Sequence, residues 1–550
     1  MMQDVCHHAP RFPRPARTEA AHPVVVLAFV FLTVLVLTNP LGNFPLNDDW
    51  SYGQAVQDLV WRHEYRLANW TSMPLMTQVL WGALFSLPAG FSFTALRLST
   101  LVLSLVGLLL LSRLTQSGGG QRPEVILFGP LCLLFNPVYL DLCHTFMTDV
   151  PFIAFTLGSI LLLVRGIDRG NRTLLALGVC LAVMAALLRQ TGLLIPIAFG
   201  IGYLSSRRVG VRKALLPVGF LLLTVVWFVV YTRWLTMTGR LPTGYYAQWA
   251  QVLTMSASGL TGIARQVAGS LLITYVYLGL FTLPLGLLFT AGTHRKRLLA
   301  LLAVSAALLG LTRLLHVDFP GNILSDRGVG PFTLAHTEDF AAFAGGTASK
   351  AALGVLALVG GALLLEMLVR SVRNVRSSWL STVCLSFAGC YLVSVSLVHQ
   401  LDRYTLLYLP LLFVPASVEL RRNPPAKSAV ITAFTALLVY AAFSVSAVHD
   451  YMSWNRTRWH AIRHLMTDLA VPAERLDGGF EFNGLYTYSE DYVRTPNKSP
   501  WWVKDDEYVI SFDVLPGYDV LRVYPVTAWL PAGIRSINVL RRAGPRRPPE

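Results

Sequence analysis

Charge is scarce in this 550-residue chain. Asp, Glu, Lys and Arg make up 14% of it, against roughly 25% in a soluble globular protein. A soluble chain of this length would split into several cores joined by polar connections. That organisation is excluded, because apolar runs of about 16 to 22 residues recur from Val24 to Val448. Cysteine is scarce as well. The six are Cys6, Cys132, Cys143, Cys180, Cys384 and Cys390, and none lies between 449 and 550. Neither a disulfide framework nor a zinc-ligand spacing can be built from them. An internal repeat is missing, and Gly118 to Gly120 lack the Lys and Ser/Thr that a phosphate-binding loop requires. What the chain has is hydrophobicity, at 54% of its residues. It reads as a polytopic α-helical membrane protein.

Thirteen spans of helix are expected, near 24–41, 94–112, 125–142, 151–165, 173–188, 191–204, 214–232, 268–290, 298–316, 351–369, 379–398, 404–420 and 428–448. The first run ends in Thr38-Asn39-Pro40 without a small-residue cleavage site, so it reads as a retained helix. With the amino terminus inside, residues 1–23 and six alternate loops hold 21 Lys and Arg against 4 Asp and Glu, while the remainder holds 24 against 26. The whole basic excess therefore sits on one face, as the positive-inside rule requires, and marks orientation in a membrane rather than a nucleic-acid footprint. Residues 74–90 are apolar too, but counting them as a span would reverse every later loop. They are expected to lie in the outer interface.

Three regions follow: a cytoplasmic tail 1–23, a membrane domain 24–448 with a long first outer loop 42–93, and an external segment 449–550. The last has 13 basic and 13 acidic residues, the composition of a soluble domain. Its start has helical spacing at Trp454, Ile462, Leu465, Met466 and Leu469. Strand-like runs at 508–514, 520–526 and 536–540 are broken by Pro516-Gly517 and by 531–533. A small α/β or α+β domain fits, and the Gly478 to Gly484 stretch reads as turns within it.

Residues able to do chemistry gather on the outer face. Asp48 and Asp49 are adjacent carboxylates at a membrane edge, where mutual repulsion and desolvation raise a pKa toward that of a general base. A solvated cap, with Asp49 starting a helix, is the plain alternative. His144 to Pro151 follow the third span. There Asp149 reads either as a helix cap or as a second functional carboxylate. Asp402, Arg403 and Tyr404 open a late span, and Arg403 can either grip a phosphate through its fork or snorkel to the interface. Arg189, between two short apolar runs, is costly to leave near hydrocarbon. It reads as a substrate group or as the partner of an outer carboxylate. His144 reads as a satisfied loop histidine or as a binding group. Asp326, Glu338 and Asp339 lie in an outer loop that could cover a site.

The constellation resembles the GT-C superfamily of membrane glycosyltransferases, in the branch of protein O-mannosyltransferases and bacterial lipid A aminoarabinose transferases. The resemblance rests on Asp48-Asp49 with Tyr52, the interfacial segment, Ala95 to Ser99, Phe146 to Pro151, and Asp402-Arg403-Tyr404. It covers the first 200 residues well and the remainder mainly by span count. It implies inverting transfer of a hexosyl or pentosyl group from a polyprenyl-phosphate donor to a hydroxyl on a lipid, glycan or protein acceptor at the outer face of a bacterial inner membrane. Asp48 or Asp49 would be the base, Asp149 a second catalytic carboxylate, and Arg403, Arg189, His144, Tyr52 and Asp402 substrate-binding groups. The branch carries Asp-Glu where this chain has Asp48-Asp49, and a Lys-Pro-Pro element is represented only by Met73-Pro74. No metal cluster is read; some relatives in the superfamily use Mg²⁺ or Mn²⁺, which one or two carboxylates can hold through water. A transporter or flippase of a lipid-linked sugar is the alternative, favoured by Arg189.

Overall fold

The computed structural model describes residues 17–117, 123–206, 211–257, 259–317, 322–325, 327–334, 347–373, 378–494, 496 and 498–543. Residues 1–16, Gly118 to Gly120, Asp326, Glu338 and Asp339 lie outside the described residues. Each of the thirteen expected spans falls on helix. Among the described residues, eight helices are long and apolar enough to cross a bilayer, and a bent pair would make a ninth. Three more, Pro23–Thr38, Arg172–Ala186 and Gln190–Ser205, are apolar but shorter. Tyr408–Arg422, 15 residues long, accounts for the twelfth expected span.

The third span differs from the unbroken run expected at 125–142. It consists of Val125–Leu134 and Pro137–Cys143, bent by 69°. The break has a local cause. Pro137 has no N–H to continue the first helix, and the Asn136 side chain caps the second by accepting from the N–H groups of Val138 and Tyr139. The apolar stretch 74–90 forms Met76–Ser86. At about 1.5 Å per residue it is roughly half a bilayer core long, consistent with an interfacial position. It is tied to the loop after the third span and to helix Arg172–Ala186, since Gln78 donates to the Phe146 carbonyl at 2.9 Å and Thr77 to that of Met184 at 2.7 Å.

The last span and the amphipathic start of the external segment are not separate helices. Lys427–Arg463 is one helix of 37 residues, about 55 Å long at the α-helical rise, so nearly half projects beyond a hydrocarbon core of ~30 Å. Its outer part carries the tail. A short antiparallel pair, Leu324–Ser325 (β1) with Gly328–Val329 (β2), packs on the same helix. In the tail, Leu476–Asp477 (β3), Tyr508–Ser511 (β4), Tyr518–Pro525 (β5) and Ser536–Arg542 (β6) form a sheet of order β3-β4-β6-β5. The β3-β4 pair is parallel and the other two pairs are antiparallel. The three longer strands lie where alternation and turn residues place them. Two-residue β3 carries too little pattern to be read. Helix Phe480–Thr487 occupies the stretch read as turns.

Candidate active site

Arg97 fixes the frame of the site. It enters with the second span, Phe93–Ser117, and is 1% exposed. Its guanidinium donates to the carbonyls of Pro40, Gly42 and Phe44 at 2.8–2.9 Å and to that of His144 at 2.6 Å. The beginning of the first outer loop is thereby held against the loop that follows the third span. One buried cation on four carbonyls satisfies groups that would otherwise cost about 1–3 kcal/mol each.

Within that frame the two adjacent aspartates separate in role. Asp49 is 2% exposed, and its carboxylate accepts from the N–H groups of Phe146 at 2.7 Å and Leu46 at 3.2 Å. Burial pushes its pKa up to about 8, against the pull of Arg97 and those two bonds. Asp49 thus joins the two outer loops, and both of its oxygens are occupied. Asp48 is part-exposed. Its Oδ1 accepts from the Trp70 indole N–H at 3.0 Å, and Oδ2 is without a hydrogen-bond partner among the described residues. Burial raises the Asp48 pKa; Arg403 is the largest charge opposing the rise, followed by the Trp70 bond, while Glu481 and Asp149 add to it. The preceding Asn47 has φ of 54°, a left-handed conformation that Asn tolerates better than most residues.

Asp149 begins helix Asp149–Arg169 without making a side-chain cap. Its Oδ1 accepts from Arg189 at 2.5 Å, and its Oδ2 lies 4.0 Å from Nη1 of Arg403 without a hydrogen bond. Arg189 reaches this position from a tight turn at 187–193. A Cβ on Gly192 would lie within 2.4 Å of the Ala186 backbone, so no side chain fits there. Arg403 is 8% exposed, and its Nε and Nη1 are buried without hydrogen-bond partners. Burial opposes its charge, but Asp149, Tyr404 and Asp48 outweigh that effect and raise its pKa. The Tyr404 ring lies under both guanidinium groups, 5.8 Å from Arg189 and 5.7 Å from Arg403. Tyr52 is buried in the field of Asp48, Arg403, Arg189 and Asp149. Five of the eight expected residues, Asp48, Tyr52, Asp149, Arg189 and Arg403, therefore share one electrostatic neighbourhood.

The remaining three hold the structure together. Besides Asp49, Asp402 accepts at Oδ2 from the N–H groups of Asn322, Ile323 and Leu324 at 2.7–3.3 Å, and at Oδ1 from its own neighbour Arg403 at 2.6 Å. It anchors an outer loop and has no oxygen left for substrate. His144 is fully buried, with Nε2 on the Thr38 hydroxyl and Nδ1 on the Leu140 carbonyl, each at 2.8 Å. Burial depresses its pKa to about 4, and both nitrogens are occupied. In this structure both side chains are buried and bonded to other parts of the protein rather than open at the site.

Sequence reasoning missed a second set of residues, supplied by the tail. Glu481 and Arg458 are fully buried and form an ion pair at 2.8 Å. Glu481 also accepts from the Asn47 N–H at 3.1 Å and from the Thr333 hydroxyl at 3.1 Å. The tail is thereby bonded to the residue before Asp48. Beside this pair Trp50, Trp70, Phe480, Tyr488 and Trp502 pack ring against ring at centroid distances of 5.0–6.4 Å. Gly484 allows this packing, because a Cβ there would lie 2.4 Å from the Trp50 ring. The dense Trp and Tyr content of 486–502 was the available signal. A divalent metal does not fit the cluster of Asp48, Asp149, Arg189 and Arg403. Its two carboxylates face two guanidinium groups, and no group of three or more His, Cys, Asp or Glu suited to a metal occurs among the described residues.

Residues 72–235 match the family described as dolichyl-phosphate-mannose-protein mannosyltransferase. No curated protein matches the chain. Among solved structures, ArnT from Cupriavidus metallidurans in the apo state is similar at 13% identity and a TM-score of 0.50, over 96% of this chain and 100% of that one. ArnT from the same organism bound to undecaprenyl phosphate is similar at 14% identity and a TM-score of 0.47, over 81% of this chain and 72% of that one. The arabinosyltransferase EmbB from Mycobacterium smegmatis is similar at 14% identity and a TM-score of 0.34, over 84% of this chain and 44% of that one. The matched segment and the shared fold agree with the resemblance carried by the motifs: residues 72–235 are similar to that mannosyltransferase family, and the chain has the fold of the membrane protein ArnT.

Proposed function

We propose that the chain transfers one sugar from a polyprenyl-phosphate donor to an acceptor hydroxyl on the outer face of a bacterial inner membrane, with inversion. The observation that carries this reading is a carboxylate with one free oxygen, Asp48, in the field of a buried guanidinium with unused donors, Arg403. The description of the family matching 72–235 names a sugar on a polyprenyl-type phosphate, which supports the donor class. The amino terminus is cytoplasmic and residues 449–550 are external in this reading, as the distribution of Lys and Arg requires.

The acceptor oxygen attacks the anomeric carbon on the face opposite the phosphate. Its O–H proton passes to Asp48 Oδ2, the bond from the anomeric carbon to the phosphate oxygen breaks, and the electron pair leaves on that oxygen. The products are a glycoside and a polyprenyl phosphate. The leaving group gains a negative charge that needs donors rather than an acid, and Arg403 supplies Nε and Nη1. Asp149 holds Arg189 and stands beside Arg403, so it positions both cations. Tyr404 supports the two guanidinium planes. The transport alternative rested on Arg189 as an unexplained cation, and its ion pair with Asp149 accounts for it.

The test is incubation of the purified chain in lipid nanodiscs with a panel of polyprenyl-phosphate sugars, scored by mass of the released lipid phosphate. Release is expected from at least one donor. Asp48→Asn should lower that release by about 10²–10⁴, the contribution of a positioned general base, with little change in thermal stability. Activity equal to the parent's in the Asp48→Asn variant would refute the reading.

A further inference from the structure

The external face carries a groove of about 580 Å³ between helix Asp49–Arg62 and the tail loop that follows Phe480–Thr487. That volume falls within the roughly 300–1,000 Å³ of small-molecule sites. Its lining is unlike a lipid site. Gln54, Gln57 and Asn69 present side-chain amides that make no hydrogen bond within the described protein. Asp491 adds a carboxylate, and Trp61 and Tyr488 supply aromatic rings. Trp61 is 59% exposed. Two bonds hold parts of the wall: the Asn69 carbonyl accepts from the Gly244 N–H at 2.9 Å, and Arg62 pairs with Asp58 at 3.0 Å at the end of helix Asp49–Arg62 away from Asp48. A second hollow of about 210 Å³ shares Arg66, Leu67 and Asn69 with the first, so the groove continues along the surface.

The groove is joined to the chamber by two aromatic side chains. The Tyr488 ring packs on Trp70 at 6.4 Å between centroids, and the Trp70 indole donates to Asp48. Trp70 is itself 37% exposed and stands between Tyr488, which lines the groove, and Asp48. Planar amides and a carboxylate bond pairs of vicinal hydroxyls, and aromatic faces cover the apolar C–H faces of sugar rings. Hydrocarbon chains would leave those amides unsatisfied.

We propose that this groove binds a neutral carbohydrate as the acceptor, with the tail loop 488–491 forming one wall. The assignment to the acceptor side rests on the transferase reading above. It gives the external segment a role in choosing the acceptor.

The probe is a panel of short, soluble glucan, mannan, galactan and arabinan fragments added to the full chain in nanodiscs. Binding is read by calorimetry and by quenching of tryptophan fluorescence. At least one fragment should bind, and Gln57→Ala and Tyr488→Ala should each weaken it by about tenfold, some 1.4 kcal/mol. Their affinity for undecaprenyl phosphate, measured in parallel, should change by less than about twofold. Failure of every fragment to bind at millimolar concentration would overturn the proposal, as would unaltered affinity in both variants. Competition for the groove by a Ser- and Thr-rich peptide, with no sugar bound, would overturn it too. Sugar binding without release of lipid phosphate from any donor supports the groove and refutes the transferase reading. Release of lipid phosphate to water with no sugar bound does the reverse.

Discussion

Replacing Arg403 separates a phosphate seat from an interfacial anchor. Two of its nitrogens are buried and unbonded in the protein, and Asp149 stands 4.0 Å from one of them. In the proposed reaction the phosphate passes from one negative charge to nearly two as the bond to the anomeric carbon breaks. A donor aimed at charge that develops in the transition state is worth about 10²–10³ in kcat, or 2.7–4 kcal/mol. Arg189 remains beside Asp149 after the substitution and continues to offer a cation, which places Arg403→Ala near the lower end, about 10². The donor KM should rise much less than kcat falls, because the ground-state diester carries less charge than the departing monoester. Arg403→Lys keeps the charge but loses the planar fork. It should fall between, about tenfold below the parent. Initial rates over a range of donor concentrations, on protein whose unfolding temperature is checked first, decide the matter. A snorkelling arginine would leave kcat alone, so an Arg403→Ala variant within about threefold of the parent would refute the phosphate role.

Two further outcomes follow from the surroundings of Asp48. The Trp70 N–H stabilises the ionised carboxylate and so holds its pKa down. Trp70→Phe should move the acidic limb of the pH–rate profile to higher pH while leaving the plateau above it largely intact, and an unmoved limb would count against Asp48 as the group that must be ionised. Arg97→Met removes a buried cation from four carbonyls. It should destabilise the protein by about 3–5 kcal/mol, the range seen when one side of a buried charged network is deleted. A thermal unfolding midpoint equal to the parent's would show that the loops hold together without it.

The membrane architecture was legible because it depends on long windows of composition. Thirteen apolar runs and the one-sided distribution of Lys and Arg leave few arrangements open, and each run falls on helix. The break at Asn136-Pro137 was written in two residues with known chemistry, yet the apolar average across 125–142 concealed it. The site was legible only as a set of charged positions. Asp48, Asp149, Arg189 and Arg403 stand out because a charge beside a membrane span is expensive. The same reasoning promoted Asp402 and His144, which are buried for the opposite purpose of satisfying backbone groups. Nothing in sequence distinguishes a carboxylate with an unbonded oxygen from one that accepts four N–H groups, since the partners at 322–324 lie about 80 residues away. Glu481 was invisible for the same reason: its partner Asn47 is 434 residues distant.

That separation bears on how Asp48, the proposed base, can be held still at the edge of a membrane. Loops at such an edge are the most mobile parts of a polytopic protein, while proton transfer requires a fixed approach of about 2.6–3.2 Å. Here the stretch 40–49 is secured at three places by three different elements. Arg97 takes the carbonyls of Pro40, Gly42 and Phe44; Glu481 takes the Asn47 N–H; and the Phe146 N–H reaches Asp49. The Asp48 side chain projects from this frame with one oxygen unbonded among the described residues. Each anchor is itself buried, so its loss would release the whole stretch rather than one contact. The carboxy-terminal segment is therefore part of the frame around Asp48, and the long helix Lys427–Arg463 is what carries it there, bringing Arg458 to Glu481 beside the loop that holds Asn47.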